Sequence, residues 1–334
     1  MMQLYLAKLA RWPWVWSFAG AAAVWLCAII FTSGHGSGGM LTAAISLAVF
    51  TVIVGVAQMF VITLGPGNVD LSLPANIGLA SAVAMKVMDG NDNMLIIGLA
   101  AAIACGFVVG TINYLLIRAL RIPPIIATLS ASFMIQSADI SYGRGLQIKP
   151  PPGFADFTNI QFFGIPLLAI LVVLFTVIAG LALNRSVYGR SVLAIGQNMR
   201  AAHLAGIKVE HVRFATYALC GALGGLDGAL LAGYFRGANV DIGNEYLLLS
   251  IAVVVIGGTS VAGGKANVPG VWGGALFLVL LQTMLNTYGA SAGVRLLLTG
   301  LIIALVITAA GGEKVQRGKA NIRRFDDSCI VDWK

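Results

Sequence analysis

The sequence predicts an all-α, polytopic membrane protein, and three observations support that prediction. The 334 residues are 58% hydrophobic and only 10% charged, whereas ordinary globular chains carry about 25% charged residues. Ten apolar segments are long enough to cross a bilayer as helices, which takes about 20 residues each. The 41 glycines are typical of helices that pack closely in a membrane, where lipid solvates their outer faces.

Short polar gaps separate the ten apolar segments and so define the predicted spans. The first segment follows Arg11 and has no small-residue cleavage site at its end, so it is predicted to be a span and not a cleaved signal. Gly, Pro or polar residues interrupt the third, eighth and ninth segments. The predicted spans are 13–32, 43–65, 70–87, 94–117, 122–141, 166–183, 213–233, 246–262, 268–287 and 294–311.

The placement of Lys and Arg predicts which side of the membrane each loop faces. With the N-terminus inside and ten alternating spans, ten Lys and Arg residues fall in inner segments and six in the C-terminal tail, so sixteen of the 21 lie inside. Inner loops of membrane proteins carry such an excess. We therefore predict that both termini are cytoplasmic. The membrane domain then spans 1–312, with an inner loop at 184–213, and a cytoplasmic tail spans 313–334.

The inner loop 184–213 is the longest polar interruption between two apolar segments. Its polar and apolar residues alternate in a pattern that favours short amphipathic helices. A basic loop of short helices on the inner side is a suitable surface for another protein. Its five basic residues are Arg185, Arg190, Arg200, Lys208 and Arg213.

Several function classes are excluded by residues that the chain lacks. Its basic residues are dispersed among short loops and form no single face for a nucleic acid. Cys27, Cys105, Cys220 and Cys329 stand apart, so neither a metal site nor a disulfide framework is implied. There is no phosphate-binding loop and no catalytic triad. We therefore predict that the chain is not an enzyme, binds no cofactor and provides a passage for a solute.

Two breaks interrupt the apolar sequence. In 65–74 two prolines and two glycines prevent a regular helix. Asp70 is either the N-cap of the helix that follows or, with Asn68, part of a re-entrant element beside the pathway. In 256–265 the glycines either allow close helix packing or line the pathway. The candidate pathway residues of this second break are Gly257, Gly258 and Thr259.

Polar residues inside two predicted spans are further candidates. In 122–141 they recur three to five residues apart and are predicted to share a face. This face either lines the pathway, where hydroxyl and aromatic groups suit a sugar, or packs against another helix. Asp227 is the acidic residue deep in a span, and it is either functional or a paired or protonated packing residue. The residues of the first set are Thr128, Ser132, Phe133 and Gln136.

The outer connection 142–165 contains three consecutive prolines, so its centre cannot be a regular helix. Its phenylalanines suit a segment that lies at the membrane surface. They are Phe154, Phe157, Phe162 and Phe163.

Four stretches together resemble the permease subunits of ribose/galactose-type ATP-binding cassette importers. The similarity covers about residues 45–310, and the third and fourth stretches are the most specific. In the first, Asn68 stands where the family usually has Gly. The four stretches are Gly55 to Ser72, Arg121 to Leu129, Gly189 to Ile207 and Ile251 to Gly264.

The resemblance implies the partners and the mechanism. Separate cytoplasmic ATPases bind ATP and drive transport, and a periplasmic or surface-anchored binding protein delivers a sugar-like solute to the outer loops 142–165 and 234–245. A second permease, identical or different, completes the pathway in the bacterial inner membrane, in contact with lipid. The inner loop is the ATPase-coupling element through Gly189, Arg190, Val192, Ala194, Gly196, Asn198, Arg200, Ala201, Ala202, Leu204 and Gly206.

Two other function classes stay open at this point. A branched-chain amino acid importer permease shares this general architecture, and a secondary transporter could act without any ATPase. The scarcity of intramembrane carboxylates argues against proton or sodium coupling.

Overall fold

The computed structural model describes residues 13–31, 37–143 and 149–289, together with 291, 293–295, 297–302 and 304–305. The predicted tail 313–334 and the end of the predicted membrane domain lie outside the described residues. The helices are α1 (Pro13–Phe31), α2 (Ser37–Thr63), α3 (Leu73–Met88), α4 (Leu95–Leu120), α5 (Pro124–Gly143), α6 (Pro152–Asn159), α7 (Leu167–Arg185), α8 (Val187–Gln197), α9 (Met199–Leu204), α10 (Val209–Tyr234), α11 (Tyr246–Ile256) and α12 (Val268–Thr287).

The all-α prediction is confirmed for the described residues, apart from a short hairpin of β1 (Gln161–Phe162) and β2 (Ile165–Pro166). Five helices are long and apolar enough to cross a membrane, namely Gly38–Thr63, Asp92–Leu120, Leu167–Arg185, Val209–Tyr234 and Val268–Thr287. Their number supports a multi-pass membrane protein. Shorter apolar helices include α3 and α11. The count of ten spans and the side of the termini stay predictions.

The helix α2 is the centre of the molecule. In its most apolar window 89% of the residues are buried, compared with 28% for α4 and 33% for α7. A helix that is apolar on every side belongs in the interior, whereas α4 and α7 expose apolar faces that suit lipid.

The helices α4 and α10 pack with their backbones in contact. Added Cβ atoms at Gly106 and Gly110 would collide with the backbone of α10 near Gly221 and Tyr217. Gly225 likewise faces the carbonyl of Ala102. Small residues at these positions let the two helices approach closely, as the glycine content predicts.

The predicted span 70–87 begins later than expected. The helix α3 starts at Leu73, and Ser72 is its N-cap, so the interpretation of Asp70 as the N-cap is wrong. Gly65 and Gly67 have φ values of 128° and 78°. These values are outside the helical range, so α2 cannot continue through this segment.

This inner break, residues 64–72, is exposed at Pro66 and Gly67 and runs between helices from Asn68 onwards. The hydroxyl of Tyr217 donates to Asn68 Oδ1 at 3.2 Å. Tyr217 follows the first residue of α10 by eight positions, which is about 12 Å along the helix axis. The inner break therefore rises into the helical core before α3 begins.

A second, outer break joins α10 to α11 over residues 235–245. Ala238 and Val240 lie beside Ala82 and Met85 of α3, while Gly243 packs against the carbonyl of Pro74 at the start of that helix. Met85 and Pro74 are separated by about 16 Å along the axis of α3, so the outer break follows this helix over that distance. The predicted outer loop 234–245 is therefore re-entrant for most of its length, which its mixture of polar and apolar residues concealed.

The span predicted at 246–262 is shorter in the structure. The helix α11 ends at Ile256, because Gly258 adopts φ 84° and the amide of Thr259 donates to Val254 O at 3.1 Å. A second bond, from Gly258 N to Val255 O at 2.9 Å, completes a Schellman motif.

The outer connection combines a buried and an exposed part. Phe154 of α6 is fully buried against Gly233, so it is a core residue and not a surface anchor. Phe162 and Phe163 are exposed on the hairpin, where Phe163 and Gly164 form the turn with φ values of 49° and 79°. The interfacial role therefore stays a prediction for Phe162 and Phe163 on the hairpin and for the half-buried Phe157.

Candidate coupling surface and transport pathway

The predicted inner loop 184–213 forms two capped helices, as its sequence pattern predicts. The Ser186 hydroxyl accepts a hydrogen bond from Gly189 N at 2.9 Å and caps α8. The Asn198 side chain accepts from Ala201 N at 3.0 Å and caps α9. Gly206, with φ 84°, ends α9 with bonds from Gly206 N to His203 O and from Ile207 N to Ala202 O. Each cap satisfies backbone groups that a short helix leaves unpaired.

The eleven predicted coupling residues divide between two faces. Gly189, Val192, Gly196 and Ala202 are buried against the chain itself. Ala194 is half-buried. The others form an exposed surface together with Met199, and the side chain of Leu204 is 81% exposed. The exposed members are Arg190, Asn198, Arg200, Ala201, Leu204 and Gly206.

A backbone junction holds α8 to the core. We use this name for Thr63–Gly65, Gly196–Gln197 and Gly263–Gly264, three segments that are far apart in sequence. Gly264 N donates to Thr63 O at 2.9 Å, and the Gln197 side-chain amide donates to Gly264 O at 3.4 Å.

Glycine is required on each side of the backbone junction. A Cβ at Gly196 would collide with the Thr63 carbonyl and with Gly264 N. Gly263 has φ 82°, and a Cβ there would lie 2.6 Å from Gly65 N. These contacts connect α8 directly to the start of the inner break.

The glycine turn after α11 is held by its own polar groups. The Asn267 amide donates to Gly257 O at 2.7 Å, and the Thr259 hydroxyl accepts from Asn267 N at 3.2 Å. Gly257 also packs against the backbone of Gly270. Thr259 is 4% exposed, so its hydroxyl serves the turn, and close packing explains Gly257. Gly258, which ends the helix, is exposed.

The polar residues of the inner break form one buried cluster. Asp70 accepts hydrogen bonds from Ser72 N at 2.9 Å and from Ser72 Oγ at 2.7 Å. The amide of Asn113 donates to both Asp70 oxygens at 3.3 Å and to Ser72 Oγ at 2.6 Å. Each of these three residues is at most 2% exposed. The cluster ties the inner break to α4.

Thr128 ties the same break to α5. Its hydroxyl accepts from Leu71 N at 3.1 Å. Its hydrogen has acceptors at Val69 O, 3.1 Å away, and at Pro124 O of its own helix, 2.9 Å away. Thr128 is fully buried, whereas Phe133 is 64% exposed and Ser132 and Gln136 are half-buried. The expectation that these four share one face is wrong, because Thr128 and Phe133 differ by five positions, about 140° around a helix.

The exposed polar face of α5 is a different set of residues. Ser130, Phe133, Ser137 and Ser141 are exposed and follow one another three or four positions apart. Among the described residues, the hydroxyls of Ser137 and Ser141 donate to carbonyls of their own helix, Phe133 O at 2.9 Å and Ser137 O at 2.8 Å. The spacing of the serines in the sequence already indicated this polar face. Which face of α5 is buried could be recognised only from its packing against other helices.

Asp227 lies deep in α10, as predicted. It is fully buried, and neither carboxylate oxygen has a hydrogen-bond partner in the described part of the chain. Gln58 of α2 is buried in the same way, with both side-chain polar atoms unpaired.

The two side chains lie at a similar height on neighbouring antiparallel helices. Phe50 of α2 contacts Tyr234 with tilted rings whose centroids are 5.3 Å apart, and Asn68 bonds to Tyr217. The register between these two contacts puts Gln58 and Asp227 at about the same height, and the structure shows no hydrogen bond between them. Sequence reasoning missed Gln58, since a glutamine within an apolar run gives no local signal that it is buried.

A surface network at the inner ends of α4 and α10 also escaped the sequence reasoning. Glu210 accepts a hydrogen bond from the Tyr114 hydroxyl at 2.7 Å. It also pairs with Arg213 at 3.4 Å and with Arg118 at 3.9 Å. Arg213 is three positions from Glu210, but Tyr114 is 96 positions away, so only the fold reveals the contacts between α4 and α10.

Comparisons with known proteins agree with this architecture. Residues 39–307 match the family described as the permease component of branched-chain amino acid transport systems. The ribose import permease protein RbsC of Bacillus subtilis is 37% identical over 245 residues, which cover 72% of this chain and 76% of that protein. RbsC of Escherichia coli K12 is 30% identical over 247 residues, with the same coverage.

A relative with another named solute matches over a longer range. The autoinducer 2 import system permease protein LsrD of Photorhabdus laumondii is 29% identical over 329 residues, which cover 96% of each chain. No solved structure matches this chain.

Proposed function

Because the chain belongs to the family of permease components described for branched-chain amino acid transport, with a match over residues 39–307, we propose that it is the transmembrane subunit of an ATP-binding cassette importer. It crosses a bacterial inner membrane with ten spans and cytoplasmic termini. Its partners are ATP-binding subunits, a solute-binding protein and a second permease, identical or different. The chain itself contributes no ATPase activity.

The observation that carries this proposal is the helix pair α8–α9. Buried glycines fix it to the core, while Met199, Arg200 and Leu204 remain exposed on its other side. A capped, rigid helix pair with a free face of apolar and basic groups fits the groove of a separate ATPase. Closure of the ATPase dimer would push α8 against the backbone junction.

The solute is proposed to be a sugar or a sugar-like compound. The relatives with the ribose import and autoinducer 2 import names support this class. The family description supports the alternative, a branched-chain amino acid.

The exposed face of α5 is proposed to line the transport pathway. Three of its residues, Ser130, Ser137 and Ser141, would leave hydroxyl groups against lipid if the chain stood alone in a bilayer. Polar groups in a membrane face other helices or a water-filled cavity. A second permease opposite this face would enclose the pathway. Ser132 and Gln136 lie at its edge, whereas Asn68, Asp70 and Thr128 serve the inner break.

The proposal is tested by reconstituting the chain with the ATP-binding and solute-binding subunits encoded beside it. We expect ATP-dependent uptake of D-ribose or another sugar-like solute, and no uptake of leucine. Uptake of leucine alone would favour the amino acid importer. Uptake that persists without any ATP-binding subunit would favour a secondary transporter and contradict the proposal.

A further inference from the structure

The outer break exposes carboxylates at the depth of the helical core. Asp241 and Glu245 are exposed, although Gly243 between them packs against Pro74 at the start of α3. A second contact fixes the height of α11, because a Cβ on Gly55 in the middle of α2 would lie 3.1 Å from Val253. Glu245 precedes Val253 by eight positions, about 12 Å along the helix axis. Both contacts place these carboxylates well below the outer helix ends.

The basic residues nearby do not neutralise these two carboxylates. Arg236 pairs with Asp156 at 3.5 Å, and the Lys86 ammonium lies 4.0 Å from the centre of the Tyr142 ring. Within the described part of the chain, no ion pair involves Asp241 or Glu245. A charged group at membrane depth cannot face lipid without a large loss of solvation. These carboxylates therefore face water or a polar solute.

A buried carboxylate points into a cavity beside the same segment. Asp139 of α5 is 1% exposed and lines a cavity of about 30 Å³ with Asn239 and Val240. The structure shows no hydrogen bond to the Asp139 carboxylate from any described residue. The cavity has the volume of one water molecule or one hydroxyl group. A carboxylate accepts hydrogen bonds only, so the group that fits beside it is a donor such as a hydroxyl.

The remaining polar groups of the segment are positioned by local bonds. The Asn244 amide donates to Asp241 Oδ1 at 2.7 Å, and Asn239 accepts from Asp241 N at 3.1 Å. These bonds fix the turn before α11 and leave Glu245 exposed at the start of that helix. Carboxylates presented in this way accept hydroxyl hydrogens and repel anions.

We propose that Asp139, Asp241 and Glu245 form a recognition site in the outer half of the transport pathway, and that it takes a hydroxyl-rich solute without net negative charge. The site rests on the proposed function, since it requires a solute pathway that also passes the outer break on the Asp139 side of α5. Asp139 lies about 180° around this helix from Ser130, against Gly78 of α3. It assigns to the outer break a direct role in solute passage in addition to any role in docking the binding protein.

The test is thiol labelling of the reconstituted complete importer. Single cysteines replace residues 241 and 245, and two methanethiosulfonate reagents of equal size are compared, one cationic and one anionic. The unmodified importer gives the background from native cysteines. Ile170→Cys on the exposed apolar face of α7 is the lipid-facing control, and Asp156→Cys on α6 is the control at the surface.

We expect both pathway cysteines to react, with the cationic reagent faster by on the order of tenfold because the neighbouring carboxylates attract it. Adding Asp139→Asn to Glu245→Cys should reduce this ratio, whereas adding Asp156→Asn should leave it unchanged. A large excess of D-ribose should slow the labelling at position 245.

Cysteines at 241 and 245 that are as unreactive as the one at 170, or that react equally with both reagents, would overturn the site. Labelling that D-ribose leaves unchanged would overturn the assigned class of solute. ATP-dependent uptake by the unmodified importer is measured in the same vesicles. Failure of the labelling with intact uptake overturns the site alone, whereas absent uptake overturns the proposed function.

Discussion

The inner break and the outer break are both irregular segments within a helical membrane protein. They differ in whether their polar side chains are buried or exposed. In the inner break Asp70 and Ser72 are buried and bonded to Asn113. In the outer break Asp241 and Glu245 are exposed. Irregular backbone survives at membrane depth only where protein buries it or water reaches it. The inner break satisfies the first condition and the outer break the second.

This difference indicates two separate tasks. The inner break begins at the backbone junction, where α8 meets the end of α2, so it is placed to receive movement from the ATPase side. The outer break lies along α3 and beside α5, so it is placed to contact a solute. On this account, the inner break transmits movement from the ATPase side, and the outer break lines the solute pathway.

The largest expected effect comes from filling the backbone junction. Gly196→Leu places a side chain where Thr63 and Gly264 leave no space, so α8 cannot seat and ATP-dependent uptake should fall to background. The clash is with backbone atoms, so its cost is at least that of ordinary overpacking, about 1–3 kcal/mol. The amount of inserted protein is therefore measured together with uptake. Gly39→Leu is the control, since nothing lies within 4 Å of its Cβ position. Normal uptake by the Gly196 variant would refute the assignment of the junction.

A smaller loss is expected from opening the cluster in the inner break. Asp70→Ala removes the acceptor of the Ser72 and Asn113 bonds and leaves a buried amide poorly satisfied. An unsatisfied buried polar group costs about 1–3 kcal/mol. The midpoint of thermal unfolding in lipid nanodiscs should therefore decrease by several degrees. An unchanged midpoint would show that the cluster does not hold the break.

The outer break should respond differently to the loss of its charges. The double variant Asp241→Asn, Glu245→Gln removes two exposed carboxylates that form no ion pair in the described part of the chain. Its unfolding midpoint should stay close to that of the unmodified protein, while ATP-dependent uptake decreases. If the double variant lowered the unfolding midpoint as much as Asp70→Ala does, the carboxylates of the outer break would be structural, like that of the inner break, and the proposed difference between the two breaks would be wrong.

The smallest effect is expected at the inner surface network. Glu210→Gln weakens the pairs with Arg213 and Arg118, but the Glu210 side chain is 41% exposed. Ion pairs of this kind contribute at most about 1 kcal/mol. Uptake and unfolding midpoint should both remain near those of the unmodified protein. A large loss of either would reveal a role for this network in coupling.

The helices and the coupling element could be predicted from sequence because their signals are local. Apolar runs indicated α2, α4 and α10, and the pattern from Gly189 to Ile207 indicated α8 and α9. The capping residues Ser186 and Asn198 follow the usual rules for helix starts. The family resemblance was confirmed by the match over residues 39–307 together with the similarity to ribose import permeases.

The polar sites could not be predicted because their meaning depends on distant partners. Thr128 resembled a pathway residue by spacing, yet its hydroxyl bonds to Val69 and Leu71. Gly196 resembled part of an external docking face, yet it packs against Thr63 of the same chain. The segment 235–245 resembled an ordinary outer loop, since no local pattern distinguishes a polar loop at the surface from one that re-enters.

The central claim is that the backbone junction transmits movement from the ATPase side to the inner break. It is tested most directly by measuring ATP hydrolysis and solute uptake together in the importer with Gly263→Ala. A methyl group there strains a residue at φ 82° and presses on Gly65, without altering the exposed face of α8–α9. The account predicts continued ATP hydrolysis with a strongly reduced ratio of uptake to hydrolysis. An unchanged ratio would contradict it.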